Sequence, residues 1–171
     1  MLALTLSSLK DATSHLFTKP TFDGFDVLAV TISSYITFSM DGHLNTAFFE
    51  DQTNDSTANE EDTLTSSKLC SWSRLRPVCF SIIKGKQPPV SFQITLFLDR
   101  EKSAAFFKES ALSENQDIEG FTLHFSYKNR ILTLSTGTVF SRFSLDRDSE
   151  RLWDQLILAW LKKQPIEFEE A

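Results

Sequence analysis

The stretch Phe121-Thr122-Leu123-His124-Phe125-Ser126-Tyr127-Lys128-Asn129-Arg130-Ile131-Leu132-Thr133-Leu134-Ser135-Thr136 carries the strongest structural signal in the chain. Phe121, Leu123, Phe125 and Tyr127 alternate with Thr122, His124 and Ser126. A strand places successive side chains on opposite faces, so this period of two describes a strand with one buried and one polar face. Lys128-Asn129-Arg130 reverses the chain into a second alternating run, Ile131–Thr136. Gly137 then leads into a further strand expected at 139–145, which would make a three-stranded antiparallel meander.

Working outward, residues 147–163 show a helical stripe of Leu152, Trp153, Leu156, Ile157 and Trp160. Asp148 and Glu150 at its start and Lys162 and Lys163 at its end suit the helix dipole. Upstream, Val90–Leu98 reads as a covered strand, and Asp99 as the cap of a helix running to Leu112. A helix is expected over 72–84, with Trp72, Leu75, Cys79, Ile82 and Ile83 on its apolar face and Gly85 as its stop. Pro77 is tolerated in a first turn, which predicts that the regular helix starts near Arg76. Residues 2–6 form a strand, Ser7-Ser8 a cap, and Leu9–Phe17 a helix ended by Lys19-Pro20. Leu28, Val30 and Ile32 share one strand face and Ile36, Phe38 and Met40 another, with Asp41-Gly42 as a turn signal. Residues 50–68 have little to bury and read as an exposed acidic loop. Strands come in runs rather than alternating with helices. The expected architecture is α+β, mainly antiparallel with about four helices, as a single domain over 1–171.

Composition narrows the class. With 41% hydrophobic and 23% charged residues in 171, the chain can bury a core of its own. Cys70 and Cys79 are the two cysteines, too few for a disulfide scaffold, which fits a reducing, cytoplasmic setting. Met1–Leu6 lacks the basic start of a signal peptide, and no apolar run reaches the roughly 20 residues of a membrane span. No membrane association is expected. The net charge of −6 is uneven. Nine acids lie in two places, Glu50, Asp51, Asp55, Glu60, Glu61 and Asp62, and then Glu167, Glu169 and Glu170; without those nine the chain stands at +3. From Thr63 to Leu98 there are five bases and no acid.

The five glycines, at 24, 42, 85, 120 and 137, form neither a phosphate-cradling loop nor a nucleophile elbow. Cysteines and histidines are not spaced for a metal, so neither a metal nor a cofactor is expected. Asp41-Gly42-His43 puts a carboxylate and an imidazole in one turn, which is enough for an acid–base pair if a cleft adjoins it. The larger signal is basic. On the 72–84 helix, Arg74, Pro77, Ser81 and Lys84 face away from the apolar stripe, Arg76 flanks them and Lys86 follows. Lys10 and His15 extend the row if the first helix lies alongside. Such a row suits phosphates or an acidic protein surface. The expectation is a non-enzymatic binding domain contacting a protein or nucleic acid through Arg74, Arg76, Lys84 and Lys86, with Asp41 and His43 as further contacts. The alternative is an enzyme built on Asp41 and His43, which requires a second polar residue to reach His43.

Several strings carry a family resemblance: Asp41-Gly42-His43-Leu44-Asn45 with Phe48-Phe49, Trp72-Ser73-Arg74-Leu75-Arg76-Pro77, Cys79-Phe80-Ser81-Ile82-Ile83-Lys84-Gly85-Lys86, Ser135-Thr136-Gly137-Thr138 and Phe168-Glu169-Glu170. With these the chain resembles a Firmicute family catalogued as a domain of unknown function, across its whole length. The resemblance implies a bacterial protein and no particular activity. In element order the chain also resembles one domain of a DNA sliding clamp, whose helices line a basic DNA-facing surface while the total charge stays acidic. The helices at 100–112 and 147–163 depart from that pattern.

Overall fold

The computed structural model describes residues 1–50 and 68–170. In chain order the elements are β1 (Ala3–Leu6), α1 (Leu9–Phe17), a 3-10 turn (Pro20–Phe22), β2 (Asp26–Ser33), β3 (Thr37–Asp41), α2 (Thr46–Glu50) and α3 (Trp72–Ile83). They continue as β4 (Ser91–Asp99), α4 (Arg100–Phe107), a 3-10 turn (Ser110–Ser113), β5 (Ile118–Lys128), β6 (Ile131–Phe140), α5 (Asp148–Lys163) and β7 (Phe168–Glu170). The fold is α+β, with one antiparallel sheet in the order β3-β2-β4-β5-β6-β1-β7. Acidic Glu169 and Glu170 sit on β7, an outer strand, where charge deters pairing with another chain.

The alternation that organises β5 has a direct structural result. Phe121, Leu123, Phe125 and Tyr127 are buried, as are Ile94, Leu96 and Leu98 on β4 and Leu132 and Leu134 on β6. They form one core with Leu16 and Phe17 of α1, Trp72 and Cys79 of α3, and Trp153, Ile157 and Leu161 of α5. Trp153 stacks on Phe121 with ring centroids 4.8 Å apart, and the Trp72 indole N–H donates to the Leu16 carbonyl at 2.9 Å. The opposite sheet face carries no buried row. Thr31, Gln93, Ser126, Thr133 and Thr5 are neighbours across it, and half-buried His124 pairs its Nδ1 with the Thr95 hydroxyl at 2.9 Å. Antiparallel sheets tolerate one wet face in this way.

The structure corrects five local expectations. Gly137 does not start a third strand; β6 runs unbroken to Phe140, so 121–140 is a hairpin flanked by β4 and β1. The β2–β3 reversal is at 34–36, and Asp41-Gly42 instead leads the chain off the end of β3. Leu28 falls in a bulge between Val27 and Ala29, which breaks the period so that Val27, Val30 and Ile32 are the buried set. Pro77 lies inside α3 rather than at its start. Ser73, whose carbonyl loses its helical donor, is exposed and can bond water instead. Leu112 belongs to a separate 3-10 turn, because Lys108 ends α4 in the left-handed conformation. The expected acidic loop at 50–68 lies outside the described residues, apart from its ends.

Candidate functional site

The predicted basic residues divide by environment. Arg76 points at Asp23, its Nε and Nη2 donating to the two carboxylate oxygens at 2.9 and 3.1 Å. Both side chains are largely covered, at 18% and 25% exposure, so this guanidinium is committed to the fold. Arg74 lies over the Phe49 ring, 5.7 Å from its centroid. Helices α1 and α3 do pack together, but His15 is buried against Thr21 at 2.7 Å and extends no surface. Lys84 and Lys86 are exposed and form no ion pair among the described residues. Between them Gly85, at φ +155, turns the chain out of α3 toward the sheet.

That exit brings Lys84 and Lys86 to one end of the sheet. The cross-strand register there is Ser33 beside Ser91, Ser91 beside Lys128, and Lys128 beside Ile131. Three strand spacings, about 14 Å, therefore join the β2–β3 turn to the β5–β6 turn. Lys128 and Arg130 stand exposed at the second turn, beside exposed Ile131. Tyr35 and Ile36 are exposed at the first, and Val90 between them is 71% exposed. Residues 33–37, 84–91 and 128–131 hold four bases and no acid. In the sequence Lys128 and Arg130 read as turn residues alone. The strand-end spacing of the hairpin was the available signal, but the pairing that sets Lys128 beside Ser91 is not local.

The turn at Arg130 has a further feature. Asn129 and Arg130 have φ of 53° and 63° in a two-residue hairpin loop. Both central residues at positive φ define the type I′ turn, which favours Asn-Gly. This chain holds arginine where glycine fits without cost.

The Asp41–His43 turn is rigid and largely wet. A Cβ on Gly42 would fall 1.7 Å from the Val27 carbonyl oxygen. Gly42 N–H donates to Leu28 and its carbonyl accepts from Cys70. Asp41 Oδ1 accepts the His43 backbone N–H at 3.0 Å and lies 2.6 Å from His43 Nδ1. These contacts, the backbone one first, hold the Asp41 carboxyl below its ordinary range. His43 lies between two clefts. A groove of about 320 Å³ brings Asp41, His43 and Arg74 together with Phe49 and Cys70. A larger one, of about 510 Å³, joins His43 to Asp26, Lys102, Asp99 and Glu119 over Leu28 and Phe97. Asp26 is buried and 2.7 Å from Lys102 Nζ; burial raises its carboxyl, and Lys102 opposes the rise. Asp99 caps α4 and sits 3.9 Å from the same ammonium.

The cleft an enzyme would need is therefore present, and among the described residues no relay to His43 lines it. Among the described residues Asp41 is the one group that hydrogen-bonds His43, and Lys102 is neutralised by its two carboxylates. No group of three or more His, Cys, Asp or Glu is placed to hold a metal among those residues. None of their helices is long and apolar enough to cross a membrane.

A family model described as "Family of unknown function (DUF5721)" matches residues 15–169 of this chain. No curated protein and no solved structure matches it.

Proposed function

The chain belongs to that family of unknown function, and from this premise we propose a non-enzymatic binding domain that docks on a polyanionic partner through the basic end of its sheet. The observation that carries the proposal is that exposed Lys84 and Lys86 lie on the segment leading into β4, whose Ser91 pairs with Lys128 at the hairpin turn that also holds Arg130. A chain of net charge −6 that keeps here four cations with no ion pair among the described residues has a locally attractive field for anions. In this reading the contact set is Lys84 and Lys86 with Lys128 and Arg130, while Arg76 serves the Asp23 ion pair. Arg74, Asp41 and His43 line a separate groove. The clamp-like version, with DNA against the helix layer, is the alternative, to which exposed Lys10 of α1 and Lys162 and Lys163 of α5 would contribute. Two free thiols, one of them buried, support a reducing, cytoplasmic setting.

The test uses a labelled single-stranded oligonucleotide as polyanion, read by fluorescence anisotropy at low salt. A Lys84→Gln, Lys128→Gln variant should bind much more weakly than wild type. Arg74→Gln should bind as wild type does. Equal binding by wild type and the double variant, or no binding at all, would sink the proposal.

A further inference from the structure

The basic end of the sheet is also its most apolar protrusion. Tyr35, Ile36, Val90 and Ile131 are 86%, 54%, 71% and 54% exposed. Single exposed apolar residues are ordinary, but four on adjoining strand ends, with Pro88 beside them, form a patch that water penalises. A phosphate backbone has no use for Ile36, Val90 or Ile131. Tyr35 packs edge-on against Phe38 at 5.9 Å, which fixes the β2–β3 turn as a firm projection. Neither of the two clefts beside His43 is lined by these residues, so the tip is a surface apart from them.

A second exposed apolar pair makes a useful contrast. Phe143 and Leu145 follow β6 and are 90% and 83% exposed. They lie close in sequence to Asp146 and Asp148, and the Ser141 N–H bonds the Asp117 carbonyl. That loop mixes both signs of charge. At the sheet tip apolar side chains coincide with four cations, and Glu167, which pairs with Ser7 two strands beyond Ile131, is the nearest acid along the strand register among the described residues.

Resting on the polyanion reading above, we infer that the partner is the surface of a bilayer containing anionic lipid. Ile36, Val90 and Ile131 would enter the interface between headgroups and acyl chains. Lys84, Lys86, Lys128 and Arg130 would meet the lipid phosphates. The two contributions are complementary, since neither a few cations nor a few aliphatic side chains alone holds a protein stably at a membrane. This is peripheral contact, to which the lack of a crossing helix does not speak. It departs from the sequence-based expectation of no membrane association, because the four apolar residues come from separate segments and meet only in the fold. Arg130 fits the inference: its left-handed backbone puts a cation at the most forward point of the hairpin.

The experiment is co-sedimentation of the full chain with phosphatidylcholine vesicles, with and without about one third phosphatidylserine, alongside the oligonucleotide assay. Wild type should bind the anionic vesicles and not the neutral ones. An Ile36→Ser, Val90→Ser variant changes no charge and should lose about tenfold or more in vesicle partitioning, from the lost aliphatic burial. The same variant should bind oligonucleotide as wild type does. Each neutralised base should cost about fivefold on the vesicles. Oligonucleotide binding without vesicle binding would overturn the membrane inference and leave the polyanion reading intact. Binding to neither would overturn both. Vesicle binding unaffected by the two serines would reduce the contact to charge alone and refute the role assigned to the apolar tip.

Discussion

Replacing Arg130 by glycine should raise stability and lower binding, a combination that a purely structural arginine does not produce. The left-handed conformation costs an L-residue roughly 1–2 kcal/mol. Arg130 adopts it at φ 63° in a two-residue turn. Glycine removes that strain but gives back roughly 0.5–1 kcal/mol through the larger freedom of the unfolded chain. The expected net gain is about 0.5–1 kcal/mol. For a chain of this size it corresponds to a rise in Tm of roughly 1–4 °C. Chemical denaturation followed by circular dichroism measures the gain, with urea slopes compared to confirm that the unfolded state is unchanged. The same protein should bind the oligonucleotide more weakly than wild type at low salt. A destabilised Arg130→Gly would refute the strain argument. A stabilised variant with undiminished binding would refute the claim that this position keeps arginine for its charge.

Other residues give independent checks. Arg76→Ala should cost about 1–2 kcal/mol through loss of the doubly hydrogen-bonded Asp23 contact, while oligonucleotide affinity stays at the wild-type level. Burial lowers the pKa of both His15 and His124 from the ordinary 6.5, with the Lys19 ammonium adding to the effect at His15. The unfolded chain then binds more protons below about that pH. This part of the stability is complete above 6.5 and is lost as pH falls through the folded values. Denaturation at neutral and mildly acidic pH should show the loss, and His124→Gln should show less of it. The Cys79 thiol is fully buried and pushed up to about 12 by desolvation, so iodoacetamide should label it only as the protein unfolds, as read by mass spectrometry. Labelling of Cys79 in the native state at a rate matching a free thiol would contradict that burial.

The parts of the fold legible in the sequence are those fixed by local periodicity. The alternation over 121–127 locates β5 and its buried face, and the stripe from Leu152 to Trp160 locates α5. Ser8 and Asp99 act as the helix caps they resemble, their side chains accepting backbone N–H groups of Asp11 and Lys102. Where the sequence misled, a local rule met a tertiary constraint. Leu28 keeps the period on paper, but a bulge rotates it out of the core row. Pro77 is held in mid-helix because Trp72 and Cys79 anchor the segment on either side of it. The site was half legible for the same reason. Lys84 and Lys86 stand out in an acid-free run, whereas Lys128, Arg130 and the exposed aliphatic residues join them through β-sheet register. Arg76 looks the same as Arg74 in the sequence, and only the position of Asp23 separates them.

The most direct test of the central claim is the salt dependence of oligonucleotide affinity in wild type and in a variant with Lys84, Lys86, Lys128 and Arg130 all changed to glutamine. Each cation that meets a phosphate on a single strand contributes about −0.7 to the slope of log K against log salt, so four predict a slope near −3. The account predicts that slope for wild type, a slope near zero for the variant, and no change for Arg74→Gln. A slope preserved in the fourfold variant and lost in Arg74→Gln would move the contact surface to the middle of α3 and contradict the account.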